Sequence, residues 1–263
     1  MLNRELILKR SGKPEDRLLV SKMLDKAELS DRIGKPVHTD FLDPYQQSLI
    51  EKVFSGIEDL EYDFYGGYVG AERAIAIFHP DYYEPEEDEY DSFLKLLSIR
   101  PNSREGLTHR DYLGSLMGLG IKREKTGDII VADENCSIVV LSDIAGYIAG
   151  NLAKVGNTGV SIEVGDTGGI SVPEPKIREI KVTVASLRLD CIAAPGFGIS
   201  RSKAAEFIRA GRLNHNWVAT ENPDKPVREG DVLSIRGKGR VIVETVGGKT
   251  KRDRIGVVLK KME

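Results

Sequence analysis

Apolar residues in the first eighty positions recur at helical spacing. Residues 14–27 place leucines and a methionine three to five positions apart on one side, which predicts an amphipathic helix. Asp43 as N-cap and Pro44 at the first helical position predict a second helix, which Gly56 would end. Residues 74–78 are an apolar run after two glycines and predict a strand. We therefore expect this segment to be a mostly helical α/β domain.

A regular alternation of elements follows the acidic stretch at residues 82–91, which is typical of a solvated loop. Helices are predicted at residues 108–117, with Thr108 as N-cap, and at residues 142–153, with Ser142 or Asp143 as N-cap. The predicted strands lie at residues 93–99, 128–132, 137–141 and 160–164, with a turn at residues 133–135. The order β-α-β-β-α-β over residues 92–173 is that of a ferredoxin-like plait.

Any RNA contact by this plait is expected to come from its loops. An RNA-recognition plait presents stacking aromatics on its third strand, and residues 137–141 contain none. The loop at residues 118–128 concentrates Lys122, Arg123 and Lys125 between glycines. It is either a phosphate-facing loop, and so a second RNA contact, or a helix C-cap followed by a solvated turn. The sequence is not a Walker loop, because no Gly-Lys-Ser/Thr follows a strand.

The last eighty residues predict two short helices with a β-hairpin or small sheet. Ser186 would cap the first helix and Ser200 the second, which Gly211 would end. His215 and Trp217 alternate along one predicted strand and would share a face, where the tryptophan either stacks on RNA or is buried. The elements are, in order, a strand at residues 180–185, a helix from 186, a glycine-bearing loop at 195–199, a helix at 201–210 and strands at 212–218 and 232–235. The predicted fold class of the chain is α+β.

Composition narrows the class of protein. The chain has 263 residues, of which 40% are hydrophobic and 30% charged, as in ordinary globular domains. No apolar run approaches the ~20 residues that cross a bilayer, and the first ten residues contain no secretory signal. Cys136 and Cys191 have no metal-ligand spacing, so we expect two buried thiols and no metal site. The expected location is the cytoplasm, with no membrane partner.

The net charge of −3 hides two electrostatic halves. Residues 1–175 contain 19 lysines and arginines against 31 aspartates and glutamates, a balance of −12, whereas residues 176–263 contain 19 against 10, a balance of +9. The sign changes at Pro-Glu-Pro, residues 173–175, which we predict to be a domain boundary. A basic terminal domain is typical of a nucleic-acid binder, with solubility charge as the alternative. The predicted domains are residues 1–80, 92–173 and 180–263.

Several short motifs of the basic segment occur in a characteristic order. They are Arg188-Leu189-Asp190, Ser200-Arg201 followed by Ala204, Ala205 and Ile208, then Gly211, and finally Pro226-Val227 with Gly230-Asp231. Over residues 182–240 they resemble the alpha-L RNA-binding motif, the domain named after the fourth protein of the small ribosomal subunit. Trp217 departs from that family, which often has glycine there, so we expect a different hairpin tip. The resemblance implies a face that docks on structured RNA, made of Arg188, Ser200, Arg201, Lys203, Arg209, Arg212, Asn214, His215, Lys225, Lys238 and Arg240.

The positions of two of these cations support the same interpretation. Arg201 and Lys203 lie in the first turn of the second predicted helix, where the helix dipole disfavours positive charge. We interpret them as cations that an anionic ligand stabilises. Asp190 is expected to pair with a neighbouring basic group rather than to act in catalysis.

Longer stretches of the chain show a second resemblance. Residues 39–44 (TDFLDP), 66–73 (GGYVGAER), 109–114 (HRDYLG) and 118–129 (GLGIKREKTGDI) make nearly the whole chain similar to bacterial YlmH-type proteins. That resemblance implies a cytoplasmic protein without known catalytic activity, with genes near division genes. It also implies a place on the large ribosomal subunit, at stalled nascent chains carrying tRNA. We therefore expect non-catalytic binding of rRNA or tRNA in rescue or quality control of stalled translation, with a link to cell division, and no binding of DNA.

The alternative is an RNA-modifying enzyme that its terminal domain guides to rRNA. A pseudouridine synthase would need a catalytic aspartate in a separate domain, whereas the only Arg-Leu-Asp sequence lies in the predicted binding domain. The sequence has no glycine-rich strand-loop-helix typical of a methyltransferase and no nucleotide signature of a tyrosyl-tRNA synthetase. Its four histidines form no local catalytic pattern. We expect no cofactor.

Overall fold

The computed structural model describes residues 3–57, 60–84, 89–103, 106–132, 135–170, 177–250 and 253–262. The chain forms two compact units, Met1–Pro173 and Glu174–Glu263, called here the N-terminal and the C-terminal unit. The predicted boundary at residues 173–175 lies outside the described residues. Both units combine helices with antiparallel sheets, which confirms the predicted α+β class.

The first half of the N-terminal unit packs helices against a three-stranded sheet. Asp43 caps the third helix as predicted, with its carboxylate accepting the backbone N–H of Gln46 at 2.9 Å. The helix predicted from residue 14 continues six residues beyond 27, to the point where Gly34 takes a left-handed conformation with φ 65°. The elements are α1 (Arg4–Arg10), α2 (Pro14–Ile33), β1 (Val37–Leu42), α3 (Pro44–Phe54), β2 (Glu61–Tyr65) and β3 (Ala74–His79), with strand order β1-β3-β2.

The second half of this unit has the predicted plait topology. In chain order the four main strands lie 2-3-1-4 across the sheet and are all antiparallel, as in a split β-α-β fold. Thr108 is the N-cap of the first helix, but Leu141 is the N-cap of the second, so the prediction of Ser142 or Asp143 was wrong. The predicted turn includes residues 133 and 134, which lie outside the described part. The elements are β4 (Leu94–Pro101), α4 (His109–Gly118), β5 (Thr126–Ala132), β6 (Asn135–Leu141), α5 (Ser142–Asn151), β7 (Lys154–Val155) and β8 (Thr158–Gly165), with 3-10 turns at Tyr90–Phe93, Arg123–Lys125 and Thr167–Gly169.

The plait sheet is covered on both faces. Helices α4 and α5 bury alternate residues of β6, such as Ile138, on one face. The opposite face contributes Leu96 and Val139 to a core that it shares with Phe41 and Ile77 of the first sheet. The face on which an RNA-recognition plait stacks bases is therefore inside the protein, which leaves the edges and loops for contact.

The C-terminal unit packs two helices on a six-stranded sheet of order β11-β10-β12-β13-β14-β9. Its first helix begins after Arg188, so the prediction of Ser186 as N-cap was wrong. Residues 195–197 are its last turn and not a loop; Gly196 is there because a Cβ would lie 3.0 Å from Val241 of the sheet below. The elements are β9 (Ile177–Val184), α6 (Leu189–Phe197), α7 (Arg201–Arg209), β10 (Leu213–His215), β11 (Val218–Ala219), β12 (Val232–Ile235), β13 (Gly239–Lys249) and β14 (Ile255–Met262).

A tight hairpin replaces the strand predicted at residues 212–218. Asn216 and Trp217 form its two-residue turn with φ 49° and 61°, the positive values that such a turn requires at both positions. Asn216 fits because its amide accepts the backbone N–H of Val232 and donates to Asp231, each at 2.8 Å. His215 and Trp217 consequently do not share a strand face, and that prediction was wrong.

Candidate nucleic-acid interface

Two predicted RNA-binding arginines meet at a buried carboxylate in the C-terminal unit. Asp190, 4% exposed, accepts hydrogen bonds from Arg188 Nε at 3.2 Å and from Arg201 Nε at 2.8 Å. Burial alone would raise the pKa of Asp190, but the bonds from Arg201 and Arg188 outweigh it and hold the pKa below its ordinary value. Arg188 also pairs with Asp224. The prediction that Asp190 pairs locally is confirmed.

This pairing changes the interpretation of the first turn of α7. Arg201 is bound to Asp190, and Lys203 Nζ lies 2.7 Å from Glu206 of the same helix. Ser200 caps α7 by accepting the backbone N–H of Lys203 at 3.2 Å. Because carboxylates of the chain itself stabilise both cations, their position in the first turn does not require an external anion. The dipole argument made from the sequence therefore does not by itself indicate an anionic ligand.

A second group of cations surrounds the ring of Phe207. Arg212 Cζ lies 4.8 Å from the ring centroid, Lys203 Nζ 5.5 Å and Lys238 Nζ 6.0 Å, which are cation–π distances. The three side chains come from α7, from the connection to β10 and from the turn between β12 and β13. We call Lys203, Phe207, Arg212 and Lys238 the Phe207 cluster; residues far apart in sequence form one basic patch here.

The remaining predicted side chains are distributed around this patch. Arg209 is exposed and makes no ion pair with the described residues, but six positions along a helix place it about 120° from Lys203. Lys225 and Asn214 are half-buried, as is Arg240 on β13. The predicted face is therefore at least two separate groups, one on Asp190 and one on Phe207.

His215 is not part of an exposed surface. Its side chain is 6% exposed, and its Nε2 lies 2.7 Å from Asp231, which also accepts the backbone N–H of Arg228 at 2.7 Å. Trp217 is half-buried, and its Nε1 and the Nδ1 of His215 are buried without a hydrogen bond within the described residues. The assignment of His215 to the RNA face is corrected, because its buried ring connects β10 to Asp231, the residue directly before β12.

The sequence interpretation did not include three residues of the C-terminal unit that bear on RNA contact. One is Phe207, a buried core residue whose ring also lies beside three cations. Arg228 and Arg236 are exposed and make no ion pair with the described residues. The sequence offers a signal for both arginines, since Arg228 lies two residues before Gly230 and Arg236 directly before Gly237.

The basic loop of the plait has mainly a structural role. Arg123 Nη1 donates to the carbonyl oxygen of Thr126 at 2.6 Å and to that of Gly127 at 2.9 Å, and burial lowers the pKa of Arg123 to about 10. Lys125 pairs with Asp40 at 2.9 Å. Lys122 is exposed without such a pair among the described residues. Of the predicted second RNA contact, only Lys122 is both exposed and without an ion pair among the described residues.

The glycine-rich segment at residues 66–73 lies against the same loop. Asp128 accepts hydrogen bonds from Tyr68 Oη at 2.7 Å and from the backbone N–H groups of Glu72 at 2.7 Å and Arg73 at 3.1 Å. Burial, followed by that bond, raises the pKa of Tyr68. Two motifs that are far apart in the chain are thus one structural feature of the N-terminal unit.

Other classes of site have no counterpart in the described ranges. No three histidine, cysteine, aspartate or glutamate side chains there converge as metal ligands would. Cys136 and Cys191 are both free and buried, as predicted. None of the described helices is long and apolar enough to span a membrane.

Comparison with known proteins agrees with this architecture. The family described as "Putative RNA-binding domain in YlmH" matches residues 85–167, and the one described as "YlmH, N-terminal" matches residues 15–83. A Bacillus subtilis protein named "Ribosome-associated protein quality control protein P2" is 34% identical over 250 residues, 95% of this chain and 96% of its own length. The structure of "Cell division protein ylmH from Streptococcus pneumoniae" is 25% identical, with TM-score 0.51, over 61% of this chain and 97% of that one. This chain belongs to the YlmH family.

Proposed function

We propose that the chain binds structured RNA through its C-terminal unit and catalyses no reaction on it. The Phe207 cluster carries this proposal, because three cations from three elements surround one ring there. Within the described residues only Lys203 of the three forms an ion pair, so Arg212 and Lys238 keep their charge for a ligand. Cations held in fixed positions are what recognition of an RNA backbone requires.

The charge distribution supports the same unit as the RNA-binding one. Residues 176–263 have a balance of +9 and residues 1–175 a balance of −12. Phosphate is attracted to the first and repelled by the second. The family description of residues 85–167 as a putative RNA-binding domain fits only a contact by edges or loops, such as the one that carries Lys122, because the sheet face is buried.

The names of the relatives suggest which RNA is bound. The Bacillus subtilis relative is named as a ribosome-associated quality control protein, and its similarity extends over nearly both chains. We propose that this chain binds rRNA or tRNA on the large ribosomal subunit and takes part in the rescue or quality control of stalled translation. A link to cell division is proposed from the name of the Streptococcus pneumoniae protein.

The state of Asp190 supports a non-catalytic role. Two arginines hold its pKa below the ordinary value, so at neutral pH it is an ionised acceptor whose hydrogen bonds are already made. The test is mass spectrometry of rRNA after incubation with the chain and S-adenosylmethionine. We expect no new modification, and a modified nucleotide would contradict the non-catalytic part of the proposal.

The binding proposal is tested with a double charge reversal that leaves Asp190 untouched. Arg212→Glu with Lys238→Glu should weaken co-sedimentation with isolated large ribosomal subunits by about tenfold or more. Lys181→Glu with Lys249→Glu is the matched control, since it makes the same change of charge at exposed positions of the same unit. Equal losses in both variants would show that only net charge matters. Unchanged binding of the first variant would overturn the proposed site.

A further inference from the structure

A cavity in the C-terminal unit lies beside the Asp190 group and shares Arg201 with it. It has a volume of about 420 Å³ and lies between the edge strand β9 and helix α6. Its walls are apolar, formed by Val182, Val184, Ala185, Ala194 and Pro195, while Arg201 and Arg254 also line it. No carboxylate is among the lining residues. A cavity with apolar walls and two cations favours a ligand that is planar or apolar in one part and anionic in another.

The two arginines are oriented and still have free donors. Arg254 donates from Nε to the hydroxyl of Thr183 at 3.1 Å and from Nη2 to the Thr183 carbonyl oxygen. Both acceptors are neutral, so the charge of Arg254 is not offset there. Arg201 uses Nε for Asp190, and its two Nη groups make no hydrogen bond within the described residues. Each guanidinium is thus held on one side and open on another, the arrangement that suits a phosphate oxygen.

The backbone of the edge strand β9 can form hydrogen bonds with a ligand in the cavity. β9 is the edge strand of its sheet and, within the described residues, pairs with β14 alone, so its other edge presents backbone N–H and C=O groups that no strand covers there. A nucleobase has an apolar face and a rim of donors and acceptors, and it is linked to phosphates on both sides. Paired bases inside a stem cannot enter such a cavity, whereas an unpaired nucleotide can turn its base outwards.

We propose that this cavity binds one unpaired nucleotide of the bound RNA. The base lies against Val184 and Pro195, and the flanking phosphates contact Arg201 and Arg254. This inference rests on the proposed function, because Arg201 belongs both to the predicted RNA face and to the cavity. It adds a preference for RNA with a bulge or an open loop over a continuous stem.

The experiment uses the full chain and three synthetic hairpins with the same stem. One stem is fully paired, one carries a single bulged uridine, and one carries an abasic nucleotide at the bulge, which keeps the phosphates and removes the base. Dissociation constants are measured by fluorescence anisotropy at one salt concentration. The uridine bulge should bind about five- to tenfold more tightly than the other two, the gain expected from burying one base.

A filled cavity should remove this preference and leave stem binding unchanged. Ala185→Phe places a ring at a lining position without altering either arginine, and Thr245→Phe is the control at an exposed position outside the cavity. Trp217 fluorescence shows whether each variant folds.

The outcomes separate this inference from the proposed function. Equal affinity for all three hairpins, or a bulge preference that survives Ala185→Phe, would overturn the cavity site and leave the proposed function standing. A chain that binds none of the hairpins and no ribosomal RNA would overturn both. A bulge preference in the wild type and in Thr245→Phe, lost in Ala185→Phe, is the result that we expect.

Discussion

Replacing Asp190 by asparagine should destabilise the C-terminal unit in a pH-dependent way. The carboxylate is 4% exposed and accepts two charge-assisted hydrogen bonds from arginine Nε groups, at 2.8 and 3.2 Å. Asparagine keeps the shape but removes the charge, and its amide would place a donor against a guanidinium. Since both arginines are half-exposed and screened by water, we expect a loss of about 2 kcal/mol at pH 7 rather than the full cost of a broken buried pair.

The pH dependence of this loss follows from the direction of the pKa shift. The pKa of Asp190 is lower in the folded state than its ordinary value, so the carboxylate stabilises the fold above that ordinary value of about 4. That contribution is lost as the pH falls through the folded-state pKa. The free energies of unfolding of wild type and Asp190→Asn should therefore converge below about pH 4.

Trp217 makes the assay specific for this unit, because it is the single tryptophan of the chain and lies in the C-terminal hairpin. Urea denaturation followed by its fluorescence, at a series of pH values, gives the free energy of unfolding for each variant. Asp224→Asn is the control: it removes the exposed second partner of Arg188 and should cost less than about 0.5 kcal/mol. Equal stability of wild type and Asp190→Asn at pH 7, or a difference that persists at low pH, would refute the reasoning.

Three further predictions concern the fold. Gly127→Ala would put a Cβ 2.7 Å from the ring of Phe41 and should lower the free energy of unfolding by about 2 kcal/mol or more in thermal melts followed by circular dichroism. Gly118→Ala is the control, because the space around Gly118 is open, and it should be neutral or stabilising. Equal effects of the two substitutions would contradict this. Asn216→Ala should lower the free energy of unfolding by about 1–3 kcal/mol in urea denaturation followed by Trp217 fluorescence, because it removes two hydrogen bonds at a positive φ. An unchanged urea midpoint would argue against the turn. Burial raises the pKa of Cys136 to about 12, so this thiol should react with a disulfide reagent only in urea, and fast reaction in buffer would show that the plait core opens.

Local signals predicted most of the helices and the plait, because capping residues and apolar runs mark these elements within their own sequence. Asp43 and Thr108 identify their helices through capping, and the apolar runs of β4 and β6 identify the central strands. What failed depended on contacts between distant residues. Gly196 resembles a loop residue in sequence, but it lies in a helix. It is glycine because a Cβ there would lie 3.0 Å from the side chain of Val241 on β13.

The candidate site shows the same division between local and distant information. Composition and motif order were enough to identify the basic unit and its cations. They could not show that Asp190 accepts hydrogen bonds from Arg188 and Arg201. Nor could they show that Lys203, Arg212 and Lys238 all lie beside the ring of Phe207. Ion pairs and cation–π contacts depend on tertiary distances, and a sequence interpreted alone treats every basic side chain as equally available.

The salt dependence of RNA binding tests the central claim most directly. The dissociation constant on purified large-subunit rRNA is measured between about 50 and 200 mM salt for the wild type and for Arg212→Gln with Lys238→Gln. If the Phe207 cluster contacts phosphates, the slope of log Kd against log salt should fall by about two in the variant, one for each lost contact. Lys181→Gln with Lys249→Gln should keep the wild-type slope. A slope that is unchanged in the first variant, or reduced equally in both, would contradict the account.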